Sequence, residues 1–171
     1  MDFPVEFSFT GRGAVRLLSP VDLRCLEWHG GLDLRSFYDH LWESHASGLC
    51  TVLVADISGY AAGQIVIHWA GKPAHLDFPD QQSLRVHPAF RGLGLGTRLI
   101  EASESYVRTK GFARVGLSVG VHNHGAKRLY QRLGYEAITG PYEDRWSYTD
   151  ALGRSVLVTE TVFDMVKILA A

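Results

Sequence analysis

Apolar residues recur along the chain with two different periods, and the switches between them outline alternating strands and helices. Residues 14–17 read as a first strand, after a start expected to be loosely held. Ser19-Pro20-Val21-Asp22 reads as a helix start, with Ser19 as cap, Pro20 in the first helical position and Asp22 near the positive end of the dipole. That helix is expected to stop at Gly30-Gly31. A second begins near Asp33, where Leu34, Phe37, Tyr38, Leu41 and Trp42 fall on one stripe. These aromatics read as core, the alternative being that one of them lines a binding pocket.

Residues 51–56 and 61–69 alternate like strands and are joined by Ser58-Gly59, the pattern of an antiparallel hairpin. The stretch 70–82, rich in Gly, Pro and Asp, is expected to be a loop, with Asp77 and Asp80 as solvated carboxylates. A short strand follows, with Leu84 and Val86 on one face, broken by Pro88. Leu95, Leu99, Ala102, Tyr106 and Val107 then keep helical spacing until Gly111. Residues 112–119 form the next strand. Asn123 caps a helix whose apolar face is Ala126, Leu129, Tyr130 and Leu133, ended by Gly134. Residues 135–139 begin another strand, residues 148–153 turn an additional hairpin, and residues 161–169 close the series.

Composition narrows the class. A chain of 171 residues suits one domain, taken here as 1–171, and is long enough to bury a core without metal or disulfide support. The longest apolar runs are too short to cross a bilayer, and the start MDFPVEFSFTGRG lacks the basic tip and apolar run of a secretion signal. The expectation is a soluble cytoplasmic protein with no membrane partner. A formal net charge of -1 gives no reason to expect nucleic acid. Cys25 and Cys50 read as buried thiols, and His122 and His124 lack a third ligand in sequence, so no metal is expected.

The turn after the short strand carries the most chemistry. Gly92, Gly94 and Gly96 leave the backbone without Cβ atoms and permit positive φ angles, and the following helix adds the positive end of its dipole. Such a loop suits a diphosphate. A dinucleotide fingerprint fails because Thr97 stands where its third glycine belongs, and a triphosphate loop fails for want of a Lys between Phe90 and Thr109. What remains is R-x-x-G-x-G, from Arg91 to Gly96.

That pattern resembles the coenzyme A pyrophosphate loop of the GNAT superfamily of acyl-CoA-dependent N-acyltransferases. Asn123, Ala126, Leu129-Tyr130 and Gly134-Tyr135 resemble the family's second segment, N-x-x-A-x-x-L-Y-x-x-x-G-F/Y. The detailed resemblance covers residues 82–136; elsewhere only the element order agrees. It implies an α/β fold of mixed α+β type, with a central mixed β-sheet of about seven strands flanked by about four helices. It also implies that the strands around Val86 and Val119 run parallel and splay apart around a pantetheine arm.

The resemblance assigns coenzyme binding to Arg91, Gly92, Leu93, Gly94, Leu95, Gly96 and Thr97, to the main chain of Leu84, Arg85 and Val86, and to Asn123 and Tyr130. Leu93 departs from the Lys, Arg or Gln common in the family, so binding is expected to lean on backbone amides and Arg91. Arg98, Lys127 and Arg128 are further cations near the loop. Acyl transfer to an amine requires a neutral amine, a polarised carbonyl and a stabilised or protonated leaving thiolate. Tyr130 occupies the position of the family's general acid, and a phenol of ordinary pKa near 10 suits that role; its alternative is a core tyrosine. Residues 81–87 contain no carboxylate to act as base. His87 is the first candidate, against a structural role beside Pro88, with His68, Glu160 or a water chain as the others.

The implied activity is N-acetyltransfer from acetyl-CoA to a primary amine of a small molecule, a protein N-terminus or a lysine, by direct attack. The acceptor is expected against the first two helices and residues 140–160. The alternatives are a non-catalytic acyl-CoA-binding regulatory module and, behind it, a plain nucleotide-binding domain. Homodimers are common in this fold and remain open here.

Overall fold

The computed structural model describes residues 5–9, 11–29, 34–72, 75–150 and 152–169. The expected helix stop at Gly30-Gly31 and the start near Asp33 lie outside them. Strands β1 (Val5–Phe9) and β2 (Gly11–Leu17) lead into a short helical stretch, α1 (Leu23–Leu26), flanked by 3-10 turns at Pro20–Asp22 and Glu27–His29. There follow α2 (Arg35–Ala46), β3 (Cys50–Ile57), β4 (Tyr60–His68), β5 (Asp80–Val86), α3 (Leu95–Thr109), β6 (Arg114–Gly120), α4 (His124–Arg132), β7 (Glu136–Ala137), β8 (Tyr142–Thr149) and β9 (Ser155–Ile168). They form a nine-stranded mixed sheet in the order β1-β2-β3-β4-β5-β6-β9-β7, with β8 on β9. Strand β1 is an addition to the expected set, in the segment read as loosely held.

Helices cover both faces. On one, α3 and α4 close over Leu53, Ile65, Val115, Leu117 and Met165. On the other, α1 and α2 bury Leu26, Tyr38 and Leu41 against Val52, Val54 and Val66. A strand covered on both sides reads as a continuous apolar run, and β3 is buried from Cys50 through Ala55. The expected α2 stripe divides: Tyr38 is core, while Phe37 is only partly buried. The expected start of the first helix is made, with Ser19 as cap, Pro20 at the first position and Asp22 closing a capping box. The Asp22 carboxylate is buried, accepting from Ser19 N at 2.8 Å and from Arg16 Nη1 at 2.7 Å. Cys50 is buried, which pushes its thiol up to about 11 and leaves it unreactive.

Three features of the sheet position the site. Among the described residues the one parallel pair is β5 with β6, and that pairing lasts for just Asp80↔Gly116 and Gln81↔Leu117. Beyond Gln81 the two strands part, as the resemblance implied. Second, the β4/β5 register steps from Val66↔Gln82 to Gln64↔Arg85, so Ser83 and Leu84 share one opposite residue. Ser83 takes φ +52, a left-handed conformation that a serine adopts only when its surroundings hold it there. This bulge leaves main chain outside the ladder beside the fork.

Third, β9 runs for 14 residues. The expected hairpin arm and closing strand are one continuous strand, because Val156, Val158, Glu160 and Val162 keep their alternation across the boundary. Its second half pairs with β6, and its first half pairs with β8. The hairpin therefore projects past the sheet as a wall. Its turn is held by Asp150, which accepts from Leu152 N, Arg154 N and Arg154 Nε at 2.9, 2.8 and 2.7 Å.

The expectation of a loop through 82 is corrected at its end. Asp80, Gln81 and Gln82 belong to β5, and Asp80 is fully buried, whereas Asp77 is exposed beside Arg114. Proline and aspartate weaken a strand pattern, but pairing with His68 on one side and Gly116 on the other overrides them.

Candidate active site

The main chain between β5 and α3 forms the first half of the site. His87 ends the strand by capping a 3-10 turn, Pro88–Phe90: its Nδ1 accepts from Ala89 N at 3.1 Å. Arg91 folds back, its Nε donating to Val86 O at 3.1 Å. Gly92 and Gly94 then take φ +78 and +80, which lets α3 start abruptly at Leu95. No acceptor among the described residues serves the amides of Gly92, Leu93, Gly94, Leu95, Gly96 or Thr97; the first helical bond is Arg98 N to Gly94 O. Cβ atoms at Gly92 or Gly94 would meet only open space. A run of unanswered N–H donors at the positive end of a helix, open to solvent, is an anion site. Gly96 differs: it lies inside the helix, facing Leu129 and Val86. Of the nearby cations, Arg98 pairs with Glu101 at 3.1 Å and Lys127 lies over the Phe163 ring, 4.9 Å from its centre.

The second half is a phenol at the fork. Asn123 Oδ1 accepts from Ala126 N at 3.1 Å, the expected cap of α4, which sets Tyr130 on the buried face. Tyr130 is 9% exposed, and its hydroxyl has no hydrogen-bond partner among the described residues. Burial alone pushes the phenol up to about 12. Its ring packs edge-on against Tyr135 at 5.8 Å. The Tyr135 hydroxyl lies 2.9 Å from both Gln81 Oε1 and Glu104 Oε1, able to donate to one at a time, and Lys167 Nζ holds the far side of Glu104 at 2.6 Å. Gln81 is the last β5 residue paired with β6. These contacts tie Tyr130 to the point where the strands separate.

On the other face of the sheet lies an open cleft of about 1230 Å3. Leu34, Phe37 and Leu41 of the α2 region form one wall; the inward face of the hairpin, with Trp146, Tyr148, Val156 and Val158, forms the other. The second helix and residues 140–160 are among the segments the sequence marked for an acceptor, whereas the first helix supplies none of the described lining residues; Phe37 is the aromatic that leaves the core to line the cleft. His68, Ser83, Arg85, Ser118 and Gly120 lie at its base. Glu160 also lines it, so close above Gly120 that a Cβ there would strike the carboxylate. His68 is half-buried, and burial lowers its pKa. His87 is not among the lining residues; its ring stands against Trp28 at 4.9 Å, Tyr60 at 5.9 Å and Phe90 at 5.7 Å.

Behind the cleft is a polar cluster that pattern reading missed. Lys72 Nζ reaches Asp144 Oδ2 at 2.6 Å and Ser118 Oγ at 2.9 Å; Ser118 and Tyr142 both donate to Asp164 Oδ1, at 2.6 and 2.7 Å. Asp80 lies near it, and burial pushes its carboxyl up to about 7 against the pull of Gln82 and Lys72. The only sequence signal was alternation, which put Asp144 on the hairpin face of Trp146 and Tyr148.

Asp80 has a measurable consequence. Its folded pKa exceeds the unfolded value of about 3.9, so its contribution is whole below that pH and is lost as pH rises through about 7. Asp80→Asn, which cannot ionise, is expected to match the wild type near pH ~4 and to exceed it by roughly 1–3 kcal/mol near pH ~8. Urea titrations at the two pH values check this; a difference that does not widen with pH refutes it.

Residues 19–135 match the family model of the acetyltransferase (GNAT) family. An N-acetyltransferase of Methanocaldococcus jannaschii, itself uncharacterised, is 34% identical over 85 residues, which is 48% of this chain and 38% of that protein. The match therefore spans well under half of that relative's length. Among solved structures, YncA of Salmonella typhimurium with its cofactor acetyl-CoA superposes with TM-score 0.66 at 18% identity, covering 92% of this chain and 94% of that one. The ribosomal-protein-S18-alanine N-acetyltransferase of Escherichia coli gives 0.64 at 21%, covering 93% and 95%. An N-acetyltransferase of Staphylococcus aureus gives 0.69 at 12%, covering 92% and 99%. At such identities the likeness is one of fold.

Proposed function

Since the chain belongs to the GNAT acetyltransferase family, we propose that it transfers an acetyl group from acetyl-CoA to a primary amine by direct attack. The single observation that carries this is the run of unanswered amides from Gly92 to Thr97, opening beside a parallel strand pair that forks after Gln81. Those amides would hold the pyrophosphate, supported by the α3 dipole. Main chain at Leu84, Arg85 and Val86, next to the Ser83 bulge, would receive the pantetheine arm and polarise the carbonyl, with Asn123 a further contact. Bound acetyl-CoA supplies an activated thioester. Tyr130, protonated far into the alkaline range, would donate to the departing sulfur.

Glu160 takes the base role in this reading, ahead of His87. It lines the acceptor cleft without a hydrogen-bond or ion-pair partner among the described residues, while His87 is engaged in capping. The acceptor, a small-molecule amine or a protein N-terminus or lysine, would approach between α2 and the hairpin.

Calorimetry with acetyl-CoA and thiol release across an amine panel test the proposal. Binding is expected in the range of about 1 μM to 1 mM, with thiol release that depends on the amine. Gly94→Val places a β-branched residue at φ +80 and removes the open approach to the amides. It is expected to weaken acetyl-CoA binding about tenfold or more while the circular dichroism of the helices persists. No association at millimolar coenzyme would refute the proposal, and binding without release for any amine would favour a regulatory module.

A further inference from the structure

Among the described residues, the cleft between α2 and the hairpin is lined by three cations, Lys72, Arg85 and Arg154, and three carboxylates, Asp144, Asp150 and Glu160. Two pairs cancel: Lys72 Nζ lies 2.6 Å from Asp144 Oδ2, and Arg154 Nε lies 2.7 Å from Asp150 Oδ2. Arg85 and Glu160 are left over, neither with an ion-pair or hydrogen-bond partner among the described residues. Arg85 is half-buried, so its charge is partly stripped of water, and the neighbour it acts on is the Tyr38 phenol rather than a carboxylate. A guanidinium so placed is a ready partner for a carboxylate.

Arg85 stands on one arm of the fork, β5, and Glu160, from β9, reaches over the other arm, β6, at the same level. Counting on from Gln81↔Leu117 and discounting the extra residue of the Ser83 bulge brings Arg85 level with Gly120, which Glu160 overlies. The arms are no longer paired there, so the walls stand further apart than the ~4.8 Å of neighbouring strands. Beside Arg85, its register partner Gln64 has both amide atoms buried without a partner among the described residues. Directly paired residues share a face, so this amide flanks the guanidinium.

From this arrangement we propose that the acceptor is a zwitterionic amine, its ammonium drawn to Glu160 and a carboxylate a few bonds away bound by Arg85. The assignment rests on the acetyltransferase reading for its chemistry but not for its binding. An amine without a carboxylate would leave Arg85 unpaired in the cleft, and the cost of that would fall on binding and turnover alike.

The test uses glycine, β-alanine, γ-aminobutyrate and δ-aminovalerate, each against its own carboxamide, in thiol-release assays with acetyl-CoA and in calorimetry on the coenzyme A complex. At least one acid is expected to exceed its amide about tenfold or more in kcat/KM and in affinity, as loss of a charge-assisted hydrogen bond requires. In Arg85→Gln that ratio is expected to fall to within about twofold of unity, and Arg85→Lys to restore part of it. Turnover with no preference for acids, a preference that survives in Arg85→Gln, or an effect confined to the KM of acetyl-CoA overturns the inference and leaves the acetyltransferase reading standing. Arg85-dependent binding of an acid without any turnover supports the inference and sinks that reading. Neither binding nor turnover of any acid defeats the inference, and the acetyltransferase reading then stands or falls on coenzyme binding and the wider amine panel.

Discussion

Tyr130→Phe is expected to lower kcat for acetyl transfer about 100-fold or more, the ordinary loss when a positioned general acid is removed. The substitution is a clean one here. The Tyr130 hydroxyl has no partner among the described residues, so removing it orphans no buried group there, and the ring keeps its edge contact with Tyr135. Thermal stability should therefore hold while turnover collapses, with KM for acetyl-CoA within severalfold of the wild type. The pH profile gives a second check. Because burial pushes the phenol up to about 12, no alkaline fall in kcat below pH ~11 should trace to this acid. The sign for stability is the same: the folded value lies above the unfolded value of about 10, so the contribution is complete below pH ~10 and is lost as pH climbs through about 12. Steady-state thiol release and melting curves measure both. An unchanged kcat would remove Tyr130 from the chemistry and leave it as packing.

Glu160→Gln is expected to cost a comparable factor, about 100-fold in kcat near neutral pH, if its carboxylate takes the proton of the attacking amine. The deficit should narrow as pH approaches the amine's own pKa, near ~10 for an alkyl ammonium, because the neutral amine then forms without help. A merely structural role would give a loss independent of pH. Gly120→Ala supplies an orthogonal perturbation. A methyl group there collides with the Glu160 carboxylate, the mobile end of a side chain, so the carboxylate moves while the fold stays. A loss of about tenfold in kcat with an unchanged melting temperature is expected, since misplacing a catalytic group by an ångström is costly. If Gly120→Ala is as active as the wild type, Glu160 is not the base.

Much of the frame was legible in sequence because local signals agreed with the fold. The α3 stripe of Leu95, Leu99, Ala102 and Val107 is buried as its spacing required, the Asn123 cap is made, and the turn glycines Gly92 and Gly94 hold positive φ. Where signals were local but tertiary pairing was stronger, reading failed. Asp80 looks like loop because aspartate disfavours strands, yet it sits between two partner strands with its carboxyl buried. The hairpin and closing strand looked separate because their turn residues and their different partners hide one continuous β9. Histidine is a residue type suited to a base, but only the tertiary structure shows the Nδ1 of His87 accepting from Ala89 N.

By itself the sequence determined the periods, the caps, the glycine turn and the order of elements, all set by interactions between residues close along the chain. The tertiary structure alone decided that β5 and β6 part after Gln81, that Tyr130 stands beside that fork, and that Glu160 overlies Gly120. Each of these joins residues far apart in sequence through sheet register and close packing, and no local preference encodes which distant strand a segment will meet or where two strands will part. The same holds for charge: Lys72 paired with Asp144, and Arg85 without an ion-pair partner among the described residues, become distinguishable only once the hairpin has folded over the cleft.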